Sequence, residues 1–295
     1  MTATQTTSKN KGRFDGILLM SDLDGTLLNR NKQIPARNLE AIRRFQQGGG
    51  LFSIATGRCP RSAEQVAQHA EVNCPGVTLN GAAVYDFATQ RIVSSRMLPL
   101  SYKEMVASVH KAFPDIGIQA YIGSDITMVV SSEVVEKLLV IENLPCRKTD
   151  LLHLPDDVNK ILFGAPHARL RELQAFLQND HLSGMYGMFT EICYFEILPS
   201  HTNKGVGVRA VAEYCGIQPE NVVAVGDYYN DIDMLKAVAN PVVAGNAPDD
   251  VKIFARHVTG DCDHGVIADT IDYIEQQLTE YGRLGRFTAC DPPRG

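Results

Sequence analysis

A chain of 295 residues, 44% hydrophobic and 21% charged, is long enough to bury a large core and to divide into two domains. Its net charge of −6 comes from dispersed acids without a basic stripe, which argues against an extended nucleic-acid footprint and leaves a small anionic ligand dependent on local positive charge. No apolar run approaches the roughly 18 residues of a membrane span, and seven cysteines without a C-x-x-C pair fit reduced thiols better than disulfides or zinc, as in a cytoplasmic protein.

In chain order, the polar stretch from Met1 to Arg13 reads as a disordered tail without the apolar segment of a signal peptide. The first apolar run, Ile17-Leu18-Leu19-Met20, leads into Ser21-Asp22-Leu23-Asp24-Gly25-Thr26. Such a run before a Gly-Thr turn predicts a buried parallel strand, and open α/β sheets bind ligands beyond the carboxyl ends of their strands. Asp22 and Asp24 then sit where a ligand would. One carboxylate can attack phosphorus and form an acyl-phosphate, while the other, its pKa raised by its neighbour, can protonate the departing oxygen. Ile34 to Phe45 has helical spacing and is ended by Gly48-Gly49-Gly50. Two further runs, Leu51 to Ala55 and Val77 to Leu79, end in the turns Thr56-Gly57-Arg58 and Asn80-Gly81.

The middle of the chain has a different rhythm. Ser101-Tyr102-Lys103-Glu104 has the form of a capping box that opens a helix to Phe113, stopped by Pro114. The runs Ile116 to Tyr121 and Ile126 to Val130, separated by Gly123-Ser124-Asp125, predict a hairpin. A helix over Ser132 to Asn143, a strand over Lys160 to Phe163, a helix over Ala168 to Gln178 and a strand over Ile192 to Ile197 follow. Strand-and-turn signals of the first kind then resume. Val222 to Val225 ends at Gly226-Asp227, Asp231 to Val238 is helical, and Val242 to Ala244 ends at Gly245-Asn246. The alternation predicts an α/β protein: a doubly wound, Rossmann-like parallel sheet with an inserted α+β cap domain. The expected division is a core of residues 14–98 and 195–280, a cap of residues 99–194, and a C-terminal tail of residues 281–295.

Asp227, at the end of its own run, and Asp22 together offer the hard oxygen ligands that Mg²⁺ prefers, although Asp227 is equally placed to cap a helix. Asp231 is placed to orient water or Lys204, or to serve as a dipole partner at a helix start. The hydroxyl of Thr56 and the adjacent N–H groups suit phosphoryl oxygens. Lys204, in Asn203-Lys204-Gly205, would neutralise phosphoryl charge, against the ordinary expectation that a lone lysine is solvated surface. None of the eight histidines forms a metal-ligand pair.

Taken in this order, the pieces resemble the haloacid dehalogenase superfamily, specifically its Cof-type, class IIB sugar-phosphatase-like group. Ser21 to Leu28 is similar to the first motif of that family, Ala55-Thr56-Gly57-Arg58 to the second, Asn203-Lys204-Gly205 to the third, and Gly226-Asp227 through Leu235 to the fourth. The resemblance implies that Asp22 is the nucleophile, that Asp24 is the general acid and base, and that Thr56 and Lys204 complete the catalytic set. It implies a Mg²⁺ site at Asp22, Asp24, Asp227 and Asp231, and phosphate or substrate contacts from Leu23, Thr56, Gly57, Arg58, Asn80, Lys204 and Asn230. The implied partner is a small phosphorylated metabolite, with neither nucleic acid nor membrane, handled by a monomer or homodimer. A phosphomutase would keep the same aspartyl-phosphate and exclude water; a phosphometabolite-binding regulator would bind without turnover. Two departures from the family pattern stand out: Tyr228 follows Asp227 where glycine is common, and Pro199 to Asn203 replaces a glycine-containing approach to Lys204.

Overall fold

The computed structural model describes residues 12–141, 144–178 and 182–284. Strand β1 (Leu18–Ser21) is buried at every position, as a strand covered by helices on both faces must be. Leu19 packs into one apolar cluster, and Leu18 and Met20 into another, the alternation that a pleated strand imposes. Helix α1 (Ala36–Gln47) leads to β2 (Leu51–Ile54), which pairs in parallel with β1, and then to α2 (Pro60–His69). Strands β3 (Gly76–Thr78), β4 (Ala83–Asp86) and β5 (Arg91–Ser95) form an antiparallel sheet of three.

The middle segment contributes α3 (Tyr102–Ala112), β6 (Gly117–Ile122), β7 (Asp125–Val130), α4 (Glu133–Ile141) and β8 (Cys146–Lys148). After these come β9 (Lys160–Gly164), α5 (His167–Leu177), β10 (Met185–Glu191) and β11 (Tyr194–Pro199). Its six strands form one sheet in the order β10-β11-β9-β6-β7-β8. One face of that sheet packs on α3 and α5 through Val106, Val109, Leu170 and Leu173. The other face meets Val135 of α4 and also Cys59, Leu79 and Ala82 from the first part of the chain.

The chain then returns with α6 (Lys204–Tyr214), β12 (Val222–Gly226), α7 (Ile232–Ala237) and β13 (Asn240–Val243), followed by α8 (Asp249–Lys252), β14 (His257–Val258) and α9 (Val266–Tyr281). The resulting parallel sheet has the order β14-β13-β12-β1-β2. Residues of α1, α2 and α9 share the cluster of Leu19, whereas α6 and Met234 of α7 share that of Leu18 and Met20. Helices therefore cover both faces, and the doubly wound expectation is borne out. Because β1 lies between β2 and β12, the chain leaves it in one direction and comes back on the other, which makes the crevice between β1 and β12 the topological switch point.

Several local expectations differ from the structure. Ser101 precedes α3 but its side chain makes no capping bond, so the expected capping box does not form. Strand β10 was not foreseen, because Met185–Glu191 mixes Tyr, Gly, Thr and Glu with apolar residues and gives no clean period. Strands β4 and β5 were missed as well; β5 is exposed throughout and lacks an apolar face. Strand β11 starts at Tyr194, so the expected division after residue 194 falls at its first residue. Of the expected N-terminal tail, residues 1–11 lie outside the described residues, while Arg13 pairs with Glu275 at 2.5 Å. Helix α4 ends at Ile141, and Asn143 is outside the described residues, as are residues 285–295 of the expected C-terminal tail.

Candidate active site

Asp22 and Asp227 follow β1 and β12, which are neighbours in register, and the Asp22 N–H donates to the Val225 carbonyl at 2.9 Å. Two carboxylates about 200 positions apart in sequence are thus delivered to adjacent strand ends. With Asp231 they form a buried cluster in which one carboxylate oxygen from each lies within 4.8 Å of the others. Gly25 makes this approach possible. It has φ +88°, and a Cβ there would collide with the Asp227 carboxylate. Replacing Gly25 by Ala should destabilise the fold by at least about 1 kcal/mol and displace Asp227; an unchanged melting temperature would contradict this packing.

Asp227 is aimed by two side chains outside the candidate set. Thr26 Oγ1 donates to Asp227 Oδ1 at 2.9 Å, and Asn246 Nδ2 donates to Oδ2 at 3.1 Å. Thr26 belongs to the first motif and Asn246 to the Gly245-Asn246 turn, so both carried a local signal. Lys204 opens α6 with its side chain fully buried, and Nζ donates to Asp22 Oδ1 at 2.5 Å and Asp231 Oδ1 at 2.6 Å. The other Asp231 oxygen accepts from the Asp227 and Tyr228 N–H groups at 2.9 and 3.1 Å. Both oxygens of Asp231 are therefore held by protein donors, and this residue braces Lys204 and the loop after β12.

Charge in this cluster is out of balance. Burial raises the Asp22 pKa well above the usual carboxylate range, the Asp231 charge raises it further, and Lys204 offsets only part. Burial and then the Asp231 charge push Asp227 up to about 7. Burial would lower the Lys204 pKa, but Asp22 and Asp231 outweigh it and hold the ammonium charged. Three buried acids facing one lysine fit a hard cation, which would favour their ionised forms. The pKa of Asp227 is higher folded than unfolded, so the folded state binds the extra proton between the usual carboxylate range and about 7. The metal-free protein should therefore lose stability as pH rises through that window. Melting temperatures that climb over the same window would show the cluster to be differently charged.

Around Asp24 the structure corrects the sequence reading. Burial alone would raise its pKa, but bonds from Arg58 and Lys32 outweigh burial and hold it below the usual carboxylate range. Arg58 Nε lies 2.9 Å from Asp24 Oδ2, and Lys32 Nζ lies 2.7 Å from Oδ1. Within the buried cluster, the acids raised are Asp22 and Asp227. No motif marked Lys32, which reaches Asp24 from the loop before α1. Glu191, the last residue of β10, has a pKa raised by burial and sits within electrostatic reach of Lys32 and Asp24, so the tip of the six-stranded sheet comes down over this edge of the site.

Thr56 is buried, and its Oγ1 accepts from the Arg58 N–H at 3.1 Å, which bends the Thr56-Gly57-Arg58 loop back on itself. Asn80, Lys204 and Asn230 line one cavity of about 160 Å³ together with Tyr186 and Met188 of β10. Asn80 Nδ2 donates to Glu196 at 2.8 Å, while its Oδ1 is buried without a partner among the described residues. Leu23 is set apart from the other candidates: its side chain lies in the apolar core, leaving only its backbone to face a ligand.

The sequence profile of the haloacid dehalogenase-like hydrolases matches residues 19–271, and the protein belongs to that family. The chain is 29% identical over 248 residues to the 5-amino-6-(5-phospho-D-ribitylamino)uracil phosphatase YitU of Bacillus subtilis, a match covering 82% of this chain and 91% of that protein. It is also 29% identical over 256 residues to the pyridoxal phosphate phosphatase YbhA of Escherichia coli, covering 81% of this chain and 92% of the relative. A haloacid dehalogenase-like hydrolase from Bacteroides thetaiotaomicron superposes with a TM-score of 0.79 at 26% identity, covering 88% of this chain and 99% of the other. The family expected from the motifs is thus the family found. No helix among the described residues is long and apolar enough to cross a membrane.

Proposed function

We propose that this protein is a Mg²⁺-dependent phosphatase that releases phosphate from small phosphoric monoesters through an aspartyl-phosphate on Asp22. The observation that carries this reading is the meeting of Asp22, Asp227 and Lys204 at the switch point of the parallel sheet. An Asp22 oxygen attacks phosphorus as the bond from phosphorus to the leaving oxygen breaks, and Asp24 gives that oxygen its proton. Asp24 then takes a proton from water, which attacks phosphorus, frees Asp22 and yields inorganic phosphate. Lys204, Thr56 and the N–H groups of the Thr56 loop stabilise charge on the transferring group. Asp22 and Asp227 would hold the metal ion, with Asp24 contributing through its backbone, whereas Asp231 acts through Lys204. Bound Mg²⁺ would supply positive charge to the phosphoryl oxygens.

Arg58, together with the Asn80 Oδ1 that has no partner among the described residues, would face the leaving group. In this reading residues 14–98 and about 200–280 form the catalytic unit, and residues 99–199 form the cap. The named substrates of the relatives YitU and YbhA are phosphorylated small molecules, and by that likeness the substrates proposed here are sugar phosphates or phosphorylated cofactors. A panel of such phosphomonoesters with Mg²⁺ should show free phosphate as product. Isomerised sugar phosphate would favour a mutase, and binding without release across the panel would overturn the reading. Thorough chelation should stop turnover and Mg²⁺ should restore it, because buried carboxylates alone repel a phosphate dianion; activity that persists under chelation would exclude the metal.

A further inference from the structure

A second buried ion pair lies where the six-stranded sheet meets the parallel-sheet unit. Lys160 opens β9 and Glu196 lies in β11; they are 2% and 4% exposed, and Lys160 Nζ is 2.7 Å from Glu196 Oε1. Neither residue carries a family motif or joins the proposed chemistry, yet each reaches across the seam. Lys160 Nζ donates to the Gly57 carbonyl at 2.9 Å, and Glu196 Oε2 accepts from Asn80 Nδ2 at 2.8 Å. A buried pair of this kind is costly to desolvate and often contributes little net stability. Its placement therefore points to a use beyond stability.

The loop it grips is the Thr56-Gly57-Arg58 turn. The Thr56 carbonyl accepts from the Asn80 N–H at 3.0 Å, and the Arg58 carbonyl accepts from the Leu79 N–H at 2.9 Å. Both of those donors come from the loop's own unit. The Gly57 carbonyl, between them, is taken by a charged donor from the six-stranded sheet. The peptide unit that ends in this carbonyl carries the Arg58 N–H, which donates to Thr56 Oγ1 at 3.1 Å. A cation on the oxygen of an amide polarises it and strengthens the bond made by its N–H. With Oγ1 accepting from Arg58, the hydroxyl proton of Thr56 is left for an acceptor in the site.

We propose that Lys160 and Glu196 are positioning residues for phosphoryl transfer, setting the Thr56 loop through Gly57 and Asn80 when the cap rests on the core. The inference builds on the phosphatase reading above, in which the Thr56 loop holds the phosphoryl group. Lys160 has no donor left for substrate. Its ammonium has three N–H bonds, and its surroundings supply three partners: Gly57, Glu196 and the Tyr121 ring, whose centroid is 4.3 Å away. Glu196 has one oxygen on Lys160 and the other on Asn80. The pair thus acts through the loop, and cap closure reaches the chemistry even for a substrate too small to touch the cap.

The test compares the full-length protein with Lys160→Met, Lys160→Arg and the double variant Lys160→Met/Glu196→Gln, using p-nitrophenyl phosphate with Mg²⁺ for turnover and inorganic phosphate for calorimetry. Lys160→Met should lower kcat roughly 10- to 100-fold, a larger factor than any rise in KM, and should weaken phosphate binding, which uses the same loop. Lys160→Arg, which keeps a charged donor, should recover part of kcat. The double variant leaves no unpaired buried charge, so it guards against a Lys160→Met protein that fails to fold, and it should be about as slow as the single variant because the pair acts as a unit. A folded double variant with kcat within about twofold of wild type would overturn the proposal. So would a loss confined to KM and seen only with bulky substrates, which would make Lys160 a substrate contact. Should the wild type bind phosphate without turnover, weakened phosphate binding in the variants would still support the positioning role, and only the phosphatase reading would fall.

Discussion

Replacing Asp22 by Asn should lower phosphate release by about 10⁴-fold or more while leaving the metal-free protein at least as stable as the wild type. The activity loss follows from chemistry: an amide is a poor nucleophile and cannot form the acyl-phosphate. The stability outcome follows from the electrostatics of the site. The Asp22 carboxylate is buried and repelled by Asp231 and Asp227, and its bond to Lys204 compensates only in part. Asn has nearly the same shape and removes one negative charge from a crowded group. Lys204 keeps its bond to Asp231, so no buried ammonium is stranded. A melting temperature well below that of the wild type would show that Asp22 holds the fold together, and wild-type turnover would remove it from the mechanism.

Replacing Asp24 by Asn should slow turnover by about 10²–10⁴-fold through lost proton transfer, and the loss should depend on the leaving group. Poor leaving groups need a proton in the first step, whereas a nitrophenolate does not, so with p-nitrophenyl phosphate the deficit should fall mainly on hydrolysis of the intermediate. In the free protein Arg58 and Lys32 hold Asp24 ionised despite its burial, the form needed to take a proton from water. To donate a proton in the first step it must give up those bonds, and a phosphate entering beside Arg58 offers them another partner. Equal losses across leaving groups of very different acidity would assign the proton transfer elsewhere.

How much of this was readable from the chain differs from residue to residue. The strand ends bearing Asp22 and Asp227 were legible, because a short apolar run followed by Gly-Thr or by Asp constrains both structure and position. Lys204 was not legible from local pattern: a lone lysine is ordinarily solvated, and only its place among the ordered motifs marked it as a cation for the phosphoryl group, while its full burial between two acids emerges only in the structure. The turn carrying Asp24 was legible, yet the direction of its pKa was not, since Lys32 and Arg58 reach it from separate loops whose geometry no periodicity records. Thr26 and Asn246 lay inside noticed turns without being assigned their aim at Asp227. Lys160 and Glu196 left no trace at all, because their partners Gly57 and Asn80 are distant in sequence and meet them only once one sheet rests on the other. Strand β10, which lines the cavity beside Lys204, was hidden by its mixed composition.

The central claim is that Asp22 carries the phosphoryl group. The direct measurement is mass spectrometry of the Asp24→Asn variant, mixed with p-nitrophenyl phosphate and Mg²⁺ and quenched in acid before digestion. The peptide containing Asp22 should gain the mass of one phosphoryl group, in step with a burst of nitrophenol of about one equivalent per protein. A burst with no phosphoryl group on Asp22, or with the group on another residue, would contradict the account.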